Sequence, residues 1–192
     1  MRRVGVFCGA TAGRDPAHAA AARDLGALLA ERGIGLVTGG GRVGLMGVVA
    51  DAALDAGGEV VGVIPRMLVD RELAHPGLTQ LVVVESLAER KAEIVDLSDA
   101  FVALPGGIGT LDELAEVLSW AQLGLHAKPT GLLDAAGYWS PLLAWLDLAV
   151  AEGYVTEAHR GAIVVAEEPA ALLDAFGSFR APGDRWETRQ RR

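Results

Sequence analysis

Short runs of apolar residues alternate with longer stretches of helical periodicity along most of this chain. A buried parallel strand is apolar on both faces, whereas a helix packed on a sheet repeats its apolar residues every three or four positions. The first pattern predicts seven strands, at residues 4–8, 35–38, 60–64, 81–84, 100–104, 130–133 and 162–165. The second predicts six helices, at residues 16–32, 45–56, 87–97, 111–123, 141–152 and 169–176.

This alternation of strands and helices predicts the fold class. Successive βαβ units with right-handed crossovers build an open parallel sheet. We therefore expect a single α/β domain of Rossmann-like architecture over residues 1–178, with helices on both faces of the sheet. Five arginines fall between Arg180 and Arg192, and we expect residues 179–192 to form a basic, poorly ordered tail. The polar segment 66–77 is predicted to be a surface loop that could act as a lid.

A glycine-rich turn follows the predicted strand at 100–104. Pro105 ends this strand, and Thr110 opens a helix whose free N–H groups suit a phosphate. Glu113 lies ~4.5 Å further along the helix axis than Thr110, at ~1.5 Å per residue. A phosphate anchor beside a carboxylate indicates chemistry on a phosphorylated small molecule. The turn expected to hold the phosphate comprises Gly106, Gly107, Ile108, Gly109 and Thr110.

The same residues also admit a purely structural interpretation. Thr110 and Glu113 have the spacing of a capping box, in which Thr caps the helix and Glu bonds back to it. A plain helix start needs no cluster of glycines before its cap, so the Pro-Gly-Gly-x-Gly sequence favours a binding site. In that site Glu113 is expected to stay ionised, because the positive end of the helix dipole favours the anion.

A second glycine cluster, Gly39-Gly-Gly41-Arg-Val-Gly44, follows the predicted strand at 35–38. Its spacing fits a dinucleotide fingerprint, but the next strand ends in Pro65-Arg66 where a ribose-binding acid is needed. Neither turn has the Gly-Lys-Ser/Thr ending of a P-loop. Two glycine turns on adjacent strands fit a mononucleotide better, and we expect Gly40 and Gly41 to line its pocket.

Charged residues cluster at the start of the predicted helix 87–97. Such a cluster is usually a solvated helix face. This helix precedes the strand at 100–104, however, so its start faces the carboxyl edge of the sheet, where ligands bind. The sequence therefore predicts that Arg90 reaches the ligand, with Lys91 and Glu85 at the same edge.

Composition excludes several other classes of function. The net charge of −8 argues against nucleic acid as a partner. Cys8 is the only cysteine and the four histidines are scattered, so neither a disulfide framework nor a metal site is indicated. Cys8 is predicted to be a small buried hydrophobe. With no transmembrane or signal segment apparent, we expect a cytoplasmic protein that does not associate with membranes.

Taken together, these motifs resemble the LOG family, the cytokinin riboside 5′-monophosphate phosphoribohydrolases. The likeness covers roughly residues 3–178 and is carried by four segments: Phe7-Cys-Gly9, Gly39 to Gly47, Glu89-Arg-Lys91 and Pro105 to Glu113. Gly137-Tyr-Trp and Trp120 to Gly124 extend it. The resemblance implies a homodimeric enzyme without a cofactor. It implies hydrolysis of the N-glycosidic bond of N6-substituted adenosine 5′-monophosphates, and of AMP in bacterial relatives, to free base and ribose 5-phosphate.

The resemblance also assigns roles to particular residues. It implies that Arg90 and Glu113 are the catalytic pair. By the same motif, the phosphate is held by Gly107, Gly109 and Thr110, and the nucleotide pocket is lined by Gly40 and Gly41. Three residues depart from the family pattern, and we expect them to touch the wall of the base pocket and the helix start: Leu87, Ile94 and Asp112.

Relatives of this kind also carry the label lysine decarboxylase, which the sequence supports poorly. A pyridoxal phosphate enzyme needs a Schiff-base lysine, and the only lysines are Lys91 and Lys128. Neither has an accompanying cofactor motif. The alternative that remains open is a non-catalytic carrier of a nucleotide or of the molybdenum cofactor on the same fold. A carrier needs the glycine turns but does not need both Arg90 and Glu113.

The predicted helix 111–123 also indicates an assembly. It is apolar on more than one face, whereas a helix on a sheet buries only one stripe. A homodimer through helices 87–97 and 111–123 accounts for the excess, and we expect aspartate at Val117 or Leu118 to weaken it.

Overall fold

The computed structural model describes residues 1–71 and 73–183, so most of the predicted tail at 179–192 lies outside the described residues. Seven parallel strands form one sheet in the order β4-β3-β2-β1-β5-β6-β7. Their bounds are β1 Arg3–Phe7, β2 Gly35–Thr38, β3 Val60–Pro65, β4 Gln80–Val84, β5 Ala100–Ala103, β6 Thr130–Leu133 and β7 Ile163–Ala166. All seven predicted strands are confirmed to within one residue at each end. A short, continuous apolar run bounded by turn residues is typical of a buried parallel strand, which is why the bounds could be predicted.

In the described part of the chain, eight α-helices lie between the strands or follow the last one. Their bounds are α1 Pro16–Glu31, α2 Gly44–Asp55, α3 Arg66–Val69, α4 Leu87–Leu97, α5 Ile108–Gln122, α6 Ser140–Ala151, α7 Glu157–Gly161 and α8 Pro169–Gly177. The six predicted helices are present, and the short helices α3 and α7 were missed. None of the helices in the described part of the chain is long and apolar enough to cross a membrane.

Two apolar layers, one on each face of the sheet, form the core. The first contains the buried residues of α1, α2 and α8, such as Leu25, Val49 and Leu172. The second contains those of α4, α5 and α6, such as Ile94, Val117 and Leu146. The predicted Rossmann-like sheet with helices on both faces is therefore confirmed. Val117 is completely buried inside the subunit, so aspartate there would disrupt the fold rather than an interface.

Segment 66–77 is not the free surface loop that its polarity predicts. It begins with α3 and then pairs with the glycine turn after β2, through the bonds Arg42 N–H to the Leu73 carbonyl and His75 N–H to the Gly40 carbonyl. The buried His75 ring also contacts Asp51, with 2.9 Å between Nε2 and Oδ1. These backbone bonds join the segment to the turn, and a composition-based prediction cannot detect them.

Candidate active site

The strand order reverses between β1 and β5, and the chain leaves these two strands toward opposite faces of the sheet. In open α/β sheets, ligands bind in the crevice that this reversal creates at the carboxyl ends of the strands. A cleft of about 320 Å³ opens there. It is lined by Cys8, Gly9, Ala10, Thr11, Met46, Arg90, Gly107, Gly109, Thr110 and Glu113.

The glycine turn after β5 forms one wall of this cleft. Helix α5 begins at Ile108 with Gly107 as its N-cap, and no side chain bonds to the cap position. The predicted helix start at Thr110 is therefore wrong, because Gly107 rather than Thr110 occupies the cap position. The capping box, which was the structural alternative to a binding site, is absent. Thr110 is the third helical residue and is only 4% exposed. The first N–H groups of α5 thus remain available to an anion.

Close packing requires glycine at position 106 but leaves the rest of the turn open. A methyl group on Gly106 would lie 2.1 Å from Oγ1 of Thr110, while one on Gly107 or Gly109 would meet no atom within 4 Å. The loop after β1 is bound to the same turn, with 3.0 Å between the Gly9 nitrogen and the Pro105 carbonyl oxygen. The turn is therefore fixed at its base and accessible at its rim.

Arg90 and Glu113 meet in this cleft, although they lie on different helices. Nη1 of Arg90 is 3.2 Å from Oε1 of Glu113, and their side chains are only 12% and 13% exposed. Nε of Arg90 donates a hydrogen bond of 3.0 Å to the Val63 carbonyl at the end of β3. The structure thus brings the two side chains together at one edge of the sheet, where the sequence predicts both of them.

The electrostatic state of Glu113 differs from the sequence-based expectation. Burial raises the pKa of the Glu113 carboxyl above its usual value, although the neighbouring Arg90 charge opposes that rise. Glu113 is the sixth residue of α5, whereas the helix dipole acts mainly within the first turn. Desolvation therefore outweighs the dipole, and Glu113 binds a proton more readily than an exposed carboxylate.

Several cleft residues were not identified from the sequence. Cys8 is buried as predicted, but it also lines the cleft, and burial together with the Glu113 charge raises the pKa of its thiol. Met46 lines the cleft as well, and its sulfur lies 3.1 Å from the N–H of Gly41. The strand order could have identified these residues. The loop after β1 borders the turn after β5 only when β1 and β5 are neighbours in the sheet.

Two other residues of the predicted site, Lys91 and Glu85, do not line the cleft. The ammonium group of Lys91 is 3.1 Å from Oδ2 of Asp112 and 3.2 Å from Oε2 of Glu116. Burial alone would lower the pKa of Lys91, but its bonds to these two carboxylates give a net rise. The exposed Glu85 pairs with Arg66, with 3.3 Å between Oε1 and Nε.

Four further residues of the predicted site, Gly40, Gly41, Gly106 and Ile108, are not among those that line the cleft. Gly40 accepts the backbone bond from segment 66–77, and Gly41 contacts Met46. Gly106 lines an adjoining hollow rather than the main cleft. Ile108, at the rim, is 82% exposed.

The three departures from the family pattern have different surroundings. Ile94 is buried in the core, so its assignment to the base-pocket wall is wrong. Asp112 binds Lys91, and Leu87 lies exposed at the start of α4.

The described residues contain no group of three His, Cys, Asp or Glu side chains that could hold a metal ion. Lys128, the other lysine considered for a Schiff base, donates to the Val95 carbonyl at 2.6 Å. Both lysines are thus occupied by protein acceptors outside the cleft.

These features define a Rossmann-like α/β fold with an ionic pair in the crevice at its strand-order reversal, and comparisons with known proteins support this class of fold. The family model described as "Possible lysine decarboxylase" matches residues 46–176. The cytokinin riboside 5′-monophosphate phosphoribohydrolase LOG of Oryza sativa is 49% identical over 90% of this chain and 72% of its own. The corresponding LOG5 of Arabidopsis thaliana is 42% identical over 100% and 86%.

Solved structures extend the comparison to the fold. A molybdenum cofactor binding protein from Rippkaea orientalis superposes with a TM-score of 0.71 and 26% identity, covering 92% of this chain and 96% of its own. The molybdenum cofactor carrier protein of Chlamydomonas reinhardtii gives 0.70 and 23% with the same coverage, which supports the fold alone. The chain belongs to the LOG family, and it is an enzyme of the phosphoribohydrolase class.

Proposed function

We propose that this protein hydrolyses the N-glycosidic bond of adenosine 5′-monophosphates, both N6-substituted ones and AMP, giving the free base and ribose 5-phosphate. The observation that carries the proposal is the buried contact of 3.2 Å between Arg90 and Glu113 beside an uncapped helix start. The names of the LOG relatives support the same reaction.

The 5′-phosphate is assigned to the turn formed by Gly107, Gly109 and Thr110. The free N–H groups of α5 and its dipole favour an anion there. Glu113 follows Ile108 by five residues, or ~7.5 Å along the helix axis, a separation comparable with the span of a ribose between its phosphate and its anomeric carbon. A phosphate on the turn therefore brings the glycosidic bond near Glu113.

Glu113 and Arg90 then have complementary roles. The bond from the anomeric carbon to the purine nitrogen breaks with its electrons moving to the purine, which leaves an oxocarbenium-like centre. The Glu113 carboxylate stabilises this centre and accepts a proton from the water whose oxygen bonds to the anomeric carbon. That proton then passes from Glu113 to the departing purine, so the base leaves neutral and the carboxylate is restored. Its raised pKa suits the acceptor role. Arg90 offsets negative charge on the departing base and holds the carboxylate in place.

The enzyme is proposed to act as a homodimer through α5. Leu111, Ala115 and Leu118 recur along its outer face and border an apolar groove that also contains Trp145, which is 60% exposed. An apolar stripe of this kind on a helix that begins at the active site favours a second subunit as its cover. The partner would then close the cleft from the side of Leu111.

Incubation with AMP, with isopentenyladenosine monophosphate and with adenosine tests the proposal. We expect free base from the two nucleotides and much less from adenosine, because the phosphate provides the binding energy that positions the sugar. A carrier protein would bind the nucleotides without releasing base. Equal rates with adenosine and AMP would contradict the phosphate assignment while leaving hydrolysis intact.

A further inference from the structure

Two aromatic side chains between β6 and α6 donate hydrogen bonds to the backbone around the phosphate turn. Nε1 of Trp139 donates to the Ala103 carbonyl at 3.2 Å. The hydroxyl of Tyr138 donates to the carbonyl of Gly106. The hydrolysis proposed above uses neither side chain, so these bonds need a separate explanation.

The corner that carries these side chains is itself firmly held. The Trp139 N–H donates to Oδ1 of Asp134 at 2.6 Å. Ala136 adopts a φ of 55°, a left-handed conformation that a non-glycine residue keeps only when its surroundings enforce it. The Tyr138 ring also packs edge-on against His18 and Trp139, with centroids 5.4 Å and 5.1 Å away. The hydroxyl is therefore presented from a fixed position.

The acceptor of that hydroxyl belongs to the peptide that joins Gly106 and Gly107. Glycine tolerates both signs of φ, so a peptide between two glycines can rotate at low cost. In a planar trans peptide the N–H points opposite to the carbonyl. With the Gly106 carbonyl bound to Tyr138, the Gly107 N–H points away from Tyr138. Rotation of the peptide would exchange this donor for an acceptor, which repels an anion.

We propose that Tyr138 is a positioning residue that fixes the Gly106–Gly107 peptide in the orientation that binds the substrate phosphate. The inference rests on the proposed function only in assigning the phosphate to this turn. Tyr138 does not touch the reacting atoms, and its effect is selective for ligands that carry the phosphate. A residue that merely stabilised the fold would affect phosphorylated and unphosphorylated ligands alike.

Binding to an inactive background tests the inference without relying on turnover. Titrations of AMP and of adenosine are compared between Glu113→Gln and Glu113→Gln with Tyr138→Phe. Loss of one hydrogen bond to the turn should raise the Kd for AMP roughly three- to tenfold, with the Kd for adenosine unchanged. The exposed Tyr154, changed to Phe in the same background, is the matched control and should alter neither value.

The possible results separate this inference from the proposed function. An unchanged Kd for AMP, or an equal rise for both ligands, would overturn the role of Tyr138. If Tyr138→Phe weakened the binding of AMP but not of adenosine, and the wild type released no base, the positioning role of Tyr138 would stand and the proposed hydrolysis would be rejected. The substitution removes a single oxygen atom from a partly exposed ring, and thermal melting of both variants checks that the fold is intact.

Discussion

Arg90 lies directly against the backbone of Gly39, at the end of β2. A methyl group on Gly39 would lie 1.6 Å from Nη2 of Arg90, far inside any contact distance. The guanidinium fills the space that a side chain at position 39 would occupy. The glycine turn after β2 therefore leaves the space that the Arg90 guanidinium needs to reach the cleft. This role is separate from any contact that Gly40 and Gly41 make with a nucleotide.

Replacing Gly39 by alanine should therefore displace Arg90 from Glu113. We expect kcat/KM for AMP to fall by about 10²-fold, since a displacement of about 1 Å in a catalytic constellation has that effect. Base release measured by chromatography provides the rate. Gly161→Ala is the matched control, because a methyl group there meets no atom within 4 Å. An active Gly39→Ala enzyme would mean that the position of Arg90 is unimportant.

The raised pKa of Glu113 predicts the pH dependence of the reaction. In the proposed mechanism Glu113 acts as the anion, so activity should be lost as the pH falls through its pKa in the folded enzyme. Because burial raises that pKa, the acidic limb of kcat/KM should have its midpoint above the usual carboxyl value of 4.5. Arg90 lowers the same pKa, so Arg90→Met should move it upward, which NMR titration of the carboxyl can follow. A midpoint at or below 4.5 would contradict the assignment.

Local sequence patterns determine part of this fold and site, and packing between distant segments determines the rest. The strands and both glycine turns could be predicted because apolar runs and glycine clusters act locally. Arg90 and Glu113 could be placed together because parallel strands bring their carboxyl ends to one edge. The pKa of Glu113 and the contact between Gly39 and Arg90 depend on packing between distant segments. The start of α5 was misassigned because a Thr-x-x-Glu pattern resembles a cap even where glycine serves instead.

Because of the buried ring of His126, we expect the folded protein to lose stability in mild acid. Burial lowers the pKa of its ring below the usual 6.5, and the ring is bonded as a neutral tautomer, with Nε2 against the Val117 carbonyl and Nδ1 accepting from the Lys128 N–H. Well above pH 6.5 the ring is neutral in both the folded and the unfolded state and contributes no pH dependence. Below it, the unfolded chain takes up a proton that the folded ring resists, so the free energy of unfolding decreases.

Urea unfolding of the wild type and His126→Gln between about pH 7.5 and 5.5 measures this effect. The difference between the two proteins isolates the His126 contribution, because the other titrating groups are shared. We expect the advantage of the wild type to shrink as the pH falls. A difference independent of pH would show that the ring is protonated equally easily in both states.

The apolar outer face of α5 predicts the result of a charge substitution there. Leu118→Asp should shift the protein toward the monomer in sedimentation at micromolar concentration, since a buried carboxylate at an apolar interface is costly. Glu152→Gln, on the exposed end of α6, serves as a surface control and should leave assembly unchanged. An unaltered sedimentation profile for Leu118→Asp, or a wild type that is already monomeric, would rule out this interface.

The most direct test of the account is base release from isopentenyladenosine monophosphate by Glu113→Gln and by the wild type, with nucleotide binding measured in parallel. The amide keeps the shape of the carboxyl group but cannot accept a proton from water or balance the oxocarbenium charge. We expect the wild type to release base. For Glu113→Gln we expect kcat to fall by about 10²–10³-fold while nucleotide binding is retained. Near wild-type turnover by Glu113→Gln would contradict the central role given to the Arg90–Glu113 pair.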